Sequence, residues 1–235
     1  MKILAIDTAT PASSVAIGDG AELRGLSVNV DRRGHVKFLV PAIDFCLDQA
    51  GWNTRDIDLV AVDVGPGPYT GLRSGISTAQ ALAAAIGAPM ATVSSLTTLA
   101  LRAATGRRRI WPVVDMRRGQ IAVAPFTPLP GGVAPAGDPE VVKPEDFKAM
   151  LESTADDSLV VGDWQSVPES IWTGLHRIRK GRPRYPSAET ILEIAALKAE
   201  QGKLSDPDDV RPFYMREPDV QINWEAFRSE GAWPQ

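Results

Sequence analysis

The stretch Ile57–Ser94, IDLVAVDVGPGPYTGLRSGISTAQALAAAIGAPMATVS, decides the fold. An apolar, β-branched run from Leu59 to Val64 stops at Gly65-Pro66-Gly67-Pro68. A helix is expected from about Thr70 to Ile86. Gly87 suits the left-handed position after it, and Pro89 blocks any continuation. A second apolar run, Met90 to Val93, then begins. Strand, tight loop, helix and strand make one βαβ unit.

That helix lacks the charged outer face of an ordinary surface helix. Its only charged residue is Arg73. Leu72, Ile76, Ala79, Leu82, Ala83 and Ile86 form one helical stripe, and the other positions are mostly Gly, Ser, Thr, Ala and Gln. Both sides are therefore expected to be covered, one by a sheet and the other by a second chain or a second layer of the same chain. The plainer alternative is burial inside one large domain.

The preceding helix, about His35 to Ala50, repeats the pattern. Val36, Leu39, Val40, Ile43, Leu47 and Ala50 keep helical spacing, and Phe38, Ala42 and Phe45 add a second apolar stripe. Lys37, Asp44 and Asp48 leave one narrow polar stripe, so the apolar arc spans roughly 200° by helical-wheel arithmetic. Two neighbouring helices with excess apolar surface suggest a shared docking face. Within it, Val36, Leu39, Leu72, Arg73, Ile76, Ala79 and Ala83 are the candidate partner contacts. The pattern does not separate positions facing the sheet from those facing the partner.

The 235 residues suffice for one large domain or two lobes. A net charge of -4 and a pI near 5.3 argue against strong autonomous binding to nucleic acid. The single cysteine, Cys46, excludes a disulfide framework and points to a reducing cytoplasm. No apolar run reaches the roughly 18 residues that span a membrane. The opening MKILAIDTAT meets Asp7 too early for a signal peptide and reads as the first strand.

Lys2–Ile6, Ser13–Ile17 and Glu22–Val30 are three strands joined by short polar turns, an antiparallel meander. The order β-β-β-α-β-α-β is that of the ribonuclease-H-like lobe, which actin-like ATPases use twice. Ile110–Asp115, a turn at Met116–Gly119 and a strand from Gln120 to Phe126 echo the N-terminus and predict a second lobe. Residues 125–139, rich in Pro and Gly, read as loop. Helices are expected over 95–104, 144–152 and 187–201, and a strand over 159–161. The fold class is thus α/β, a two-lobed actin-like (ribonuclease-H-like) fold. A complete N-terminal lobe, 1–106, precedes a reduced C-terminal lobe, 107–218, and a tail, 219–235, without clear period.

Metal chemistry is poorly supplied: the histidines are His35 and His176, with no HxxxH, HExxH or CxxC spacing. No catalytic or metal residue is assigned. The glycine-rich loop lacks the Lys-Ser/Thr of a Walker motif, and Pro66 and Pro68 each remove an N–H donor. Asp7, Asp63 and Asp115 fall near strand ends, as magnesium ligands or as turn residues. The run His176–Arg184 is basic, either a solvated loop or a set of phosphate contacts for RNA.

Several segments together resemble one family. They are MKILAIDTATPASSVAI, His35–Pro41, GPGPYTGLRSG, VSSLTTLA, VVDMRRGQIAV, Tyr185-Pro186-x-Ala188 and PFYMRE. In this order they resemble the TsaB (YeaZ) family across nearly the whole chain. GPGPYTGLR is close to the family's GPGSFTGLR, and DMRRGQIAV resembles its DARRGEVY, with Met116 for alanine. The resemblance implies a part in making threonylcarbamoyladenosine in tRNA. It implies a non-catalytic subunit pairing with the transferase TsaD through helices 35–50 and 70–86, joined by the ATPase TsaE, with tRNA bound within the complex. It also implies a homodimer through the same helices when alone, no membrane and a cytoplasmic location. No cofactor of its own is implied, with room for ATP or ADP at the complex interface. The HxxxH metal motif of TsaD falls here on Ser95 and Leu99, neither of which is an imidazole. The alternative is an actin-like phosphotransferase or ATPase holding a magnesium nucleotide with Asp7, Thr8 and Asp115.

Overall fold

In the computed structural model, which describes residues 1–104 and 106–215, the run beginning at Leu59 lies inside a five-stranded sheet. The tail expected over 219–235 lies outside the described residues. The sheet contains β1 (Lys2–Asp7), β2 (Ala12–Asp19), β3 (Glu22–Val30), β4 (Leu59–Gly65) and β5 (Met90–Ser94), in the order β3-β2-β1-β4-β5. β2 is antiparallel to β1 and β3, while β1, β4 and β5 run parallel. Parallel neighbours need a crossover, and α2 (Tyr69–Ile86) supplies it between β4 and β5. Earlier in the chain, α1 (His35–Ala50) links β3 to β4. Both helices end on left-handed glycines, Gly51 at φ 67° and Gly87 at φ 69°.

Side chains alternate across the strands and separate two layers. Leu4, Ile6, Val15, Ile17, Val60 and Val62 pack against α1 and α2. Ile3, Ala5, Ala16, Ala61 and Ala91 form a smoother opposite face. There the small side chains let a late helix, α5 below, lie close to the sheet.

The second sheet repeats the first. Its strands are β6 (Arg109–Asp115), β7 (Ile121–Val123), β8 (Phe126–Leu129), β9 (Gly132–Pro135), β10 (Glu140–Val142), β11 (Ser158–Gly162) and β12 (Ile178–Lys180). The order β10-β7-β6-β11-β12 has the same pattern of antiparallel and parallel pairs, with β8 and β9 attached to the side. It is reduced: only 3-10 turns, Trp164–Ser166 and Glu169–Trp172, stand between β11 and β12. Of its helices, α4 (Pro144–Ser153) follows β10 and α5 (Ala188–Glu200) follows β12. The closing helices cross over. α3 (Ser95–Arg102) buries Leu96, Leu99 and Ala100 against Ile110, Val114 and Val161 of the second sheet. α5 buries Ile191, Leu192 and Ala195 against the first. The lobes are thereby interlocked.

Two local expectations are corrected. Residues 125–139 contain the β8–β9 hairpin, turning at Gly131 with φ 79°. Pro128 and Pro135 are tolerated because the hairpin hangs on the side of the sheet. The basic run His176–Arg184 contains a strand, β12, anchored by Ile178.

The glycines of the quoted loop set how α2 meets the sheet. A Cβ at Gly67 would lie 2.1 Å from the Ala9 carbonyl oxygen, and one at Gly71 2.3 Å from that of Thr8. A Cβ at Gly75 would lie 2.3 Å from Thr8 Oγ1. Three glycines four residues apart thus let the β1–β2 turn sit against the helix backbone, where Thr8 Oγ1 donates to the Gly71 carbonyl at 2.7 Å. Gly71→Ala is expected to destabilise the chain by about 1–3 kcal/mol through overpacking. Thr70→Ala, at an exposed neighbour, should have little effect; equal urea midpoints for the two variants would contradict this packing.

Candidate functional site

Five of the seven expected partner contacts face the sheet instead. Leu39, Leu72, Ile76, Ala79 and Ala83 are buried in the core between the sheet and the two helices. The physical reason is that the most regular apolar stripe is the one that drives folding. Each larger side chain contributes about 1.5–3 kcal/mol when buried. Val36, 72% exposed, and Arg73, also exposed, do point outward.

The outer face is made from positions flanking the core stripe. On α1, Val40 and Phe45 are 58% and 53% exposed. On α2, Ser77, Ala81, Ala84 and Ala85 are exposed, small and uncharged. Val36 shares a cavity with Tyr69, Thr70 and Ser74, so this flank of α1 faces α2. Arg73 is folded down: its Nε donates to Tyr214 Oη at 3.0 Å, and its guanidinium lies 3.8 Å from the Tyr69 ring centre. Tyr69 and Tyr214 stack with centres 5.0 Å apart. The other flank of α2 is strapped by the segment after α5. Ser205 pairs with Met90, Gln80 Nε2 donates to the carbonyls of Pro207 and Val210, and Phe213 N donates to the Val64 carbonyl.

The three candidate nucleotide residues do not converge. Asp7 is buried beside Asp63, its neighbour on the adjacent parallel strand. Asp7 Oδ1 accepts from Ala9 N at 2.9 Å, and Asp63 Oδ1 accepts from Gly65 N and Ser95 Oγ, both at 2.7 Å. Each carboxyl keeps one buried oxygen, Oδ2, without another partner. A proton held between them would satisfy both, and burial raises both acids above their ordinary range. Asp115 holds its own turn, with Oδ1 accepting from Arg117 N at 2.8 Å. Thr8 alone of the three lines the cleft between the lobes, a cavity of about 730 Å³.

That cleft is walled by arginine rather than carboxylate. Arg32 and Arg33 reach it from the start of α1, and Arg117 and Arg118 from the β6–β7 turn. Both residues of that turn have left-handed backbones, at φ 65° and 53°, a conformation uncommon outside glycine. His35 Nδ1 lies 2.6 Å from Ser13 Oγ, and burial lowers its pKa, which favours the neutral ring. Among the described residues no group of three or more His, Cys, Asp or Glu side chains is placed to hold a metal ion. Ser95 is committed to Asp63, and Leu99 lies in the core of the second sheet. Sequence reasoning missed the arginine wall and the tyrosine clamp on Arg73, since both join residues distant in the chain.

Two lobes of one strand order, interlocked by exchanged helices around a cleft, define the actin-like ATPase fold class. The family model for TsaD, tRNA N6-adenosine threonylcarbamoyltransferase, matches residues 22–163. The tRNA threonylcarbamoyladenosine biosynthesis protein TsaB of Escherichia coli strain K12 is 32% identical over 220 residues, covering 92% of this chain and 95% of that protein. YeaZ from Pseudomonas aeruginosa superposes with a TM-score of 0.75 at 26% identity, over 90% of this chain and all of that one. A further Pseudomonas aeruginosa structure, described as similar to peptidase YeaZ, gives a TM-score of 0.78 at 28% identity, covering 92% and 99%. The chain belongs to the TsaB (YeaZ) family.

The Asp7–Asp63 pair makes stability depend on pH. With both acids raised, the folded chain holds protons more tightly than the unfolded chain. Their contribution is therefore most favourable below the unfolded value of about 3.9 and is lost as pH rises through the folded values. The urea midpoint should be higher at about pH 5 than at about pH 8. Asp63→Asn keeps the acceptor for Gly65 and Ser95 and offers Asp7 a neutral donor, so it should remove most of that difference. An unchanged pH dependence in this variant would rule out the shared proton.

Proposed function

We propose that this chain is the non-catalytic partner subunit in tRNA threonylcarbamoyladenosine synthesis, docking on TsaD through the outer face of α1 and α2. The observation that carries the reading is the surface left after the core is filled. Exposed Val36 and Val40 share the flank of α1 that faces α2, whose outer residues are small and uncharged and whose one cation is held against two tyrosines, and Phe45 is exposed farther round α1. Small side chains allow close backbone approach, as a four-helix layer with a similar helix pair would need. The match to the TsaD family model supports a paralogous partner of like shape.

In this reading the subunit organises TsaD and helps recruit TsaE, and tRNA is engaged within the complex. It carries no cofactor of its own, and ATP or ADP would bind at the complex interface. Without TsaD the same face would pair with a second copy. A cytoplasmic location fits the lone buried Cys46, and no helix among the described residues is long and apolar enough to cross a membrane. The alternative, an ATPase using Asp7, Thr8 and Asp115, would require Asp7 to leave its buried partner Asp63.

Light-scattering chromatography of the chain with TsaD tests the docking. A one-to-one complex is expected. Val40→Glu and Ser77→Glu, at exposed positions, should leave the chain folded and weaken pairing at least tenfold, or about 1.4 kcal/mol. Ala79→Glu differs in kind, because it forces a carboxylate into the core and should unfold the chain. Pairing of unchanged affinity in both surface variants would show that the face is wrong.

A further inference from the structure

The chain carries a net charge of -4, yet seven of its arginines line two neighbouring cavities. Arg32, Arg33, Arg117 and Arg118 line the interlobe cavity. Arg102, Arg182 and Arg184 line a second cavity of about 580 Å³. The β1–β2 turn is the ridge between them, with Thr8, Thr10 and Pro11 on one side and Ala12 and Ser14 on the other. Against seven arginines, Glu189 is the one acid lining either cavity among the described residues.

Folding also divides the basic run His176–Arg184. Lys180 pairs with Glu169 at 2.9 Å and lies over Trp164 and Trp172, and Arg177 bonds to the Ala155 carbonyl, so these belong to the second lobe's own packing. Arg182 and Arg184 line the second cavity, Arg184 also donating to Gln165 Oε1. There the aromatic rings absent from the basic run are supplied by other segments. Tyr185 lies 5.6 Å from the Arg184 guanidinium, and Tyr69 and Tyr214 stand at the other cavity. A single small anion in either cavity would meet at most four of the arginines. A chain of phosphates crossing the ridge would meet both groups.

We propose that this arginine front, running over the β1–β2 turn from one cavity to the other, is a track for the sugar–phosphate backbone of a structured RNA. Guanidinium groups bind phosphate in bidentate geometry, and Tyr185 offers a face for an unstacked base. The choice of RNA among polyanions rests on the tRNA-modification reading. The front adjoins the α1–α2 docking face at the interlobe cavity, which Val36, Tyr69 and Ser74 also line, but none of its arginines lies on α1 or α2.

The test is fluorescence anisotropy of a labelled RNA stem-loop titrated with the full chain between about 50 and about 200 mM salt. Binding should weaken steeply with salt. Arg33→Ala with Arg117→Ala, and separately Arg182→Ala with Arg184→Ala, should each weaken it at least tenfold. Each pair should also reduce the salt slope by about 1–2. Arg107→Ala with Arg108→Ala, at the opposite end of β6 from Asp115, should change affinity less than about twofold. Three results would overturn the proposal: no salt-dependent binding, an equal loss in the Arg107 and Arg108 variant, or inorganic triphosphate binding as tightly as the RNA. The last would assign the cavities to a small phosphate compound. Each variant's complex with TsaD, followed by light scattering, scores the docking reading separately and should persist.

Discussion

Thr8 and Ala9 can lie against the first turns of α2 because positions 67, 71 and 75 carry no Cβ. Much else depends on that close approach. It fixes the direction in which α2 leaves the sheet, and so which of its sides is core and which is surface. It also brings the β1–β2 turn up to the helix N-terminus, the place where a glycine-rich loop would otherwise hold phosphate. The carbonyls of Thr8 and Ala9 pack against that loop here, and the cleft beside it is lined with arginine.

The buried pair beneath the turn has a related consequence. In a nucleotide-binding cleft, a strand-end aspartate would have to be ionised and open to a hydrated cation. Asp7 is instead closed off against Asp63, with burial favouring the protonated state of the pair. The cleft is lined by guanidinium groups rather than carboxylates. In the proposed reading, this combination serves a subunit that binds and positions other molecules.

Much of the fold was legible because its signals are local. The strand–loop–helix–strand unit, the glycine stops after α1 and α2, and the restart at Ile110 all rest on residues adjacent in sequence. The succession of elements in the first lobe followed from them, whereas β8, β9, β10 and β12 of the second lobe did not. Residues 125–139 were misread because proline and glycine mark loops in general, and only the position of the hairpin beside the sheet makes Pro128 and Pro135 acceptable in strands. The docking face was half legible. Excess apolar surface on two neighbouring helices was visible, but its strongest stripe is the core side. Val40, Phe45, Ser77 and Ala81 could be assigned outward only once the sheet was in place. The Asp7–Asp63 pair and the arginine front were not legible. Each depends on register or on joining segments far apart in the chain, such as Arg32 with Arg117 at the interlobe cavity.

The central claim is that the outer face of α1 and α2 is where this chain meets TsaD. Hydroxyl-radical footprinting of the chain, alone and in the complex, reads it at the side chains themselves. Val36, Val40 and Phe45 should lose reactivity on addition of TsaD, while Leu129 on β8 and Leu197 on α5, both about half exposed, should keep theirs. Protection of Leu129 or Leu197 with the α1 residues unchanged would place the partner elsewhere and contradict the account.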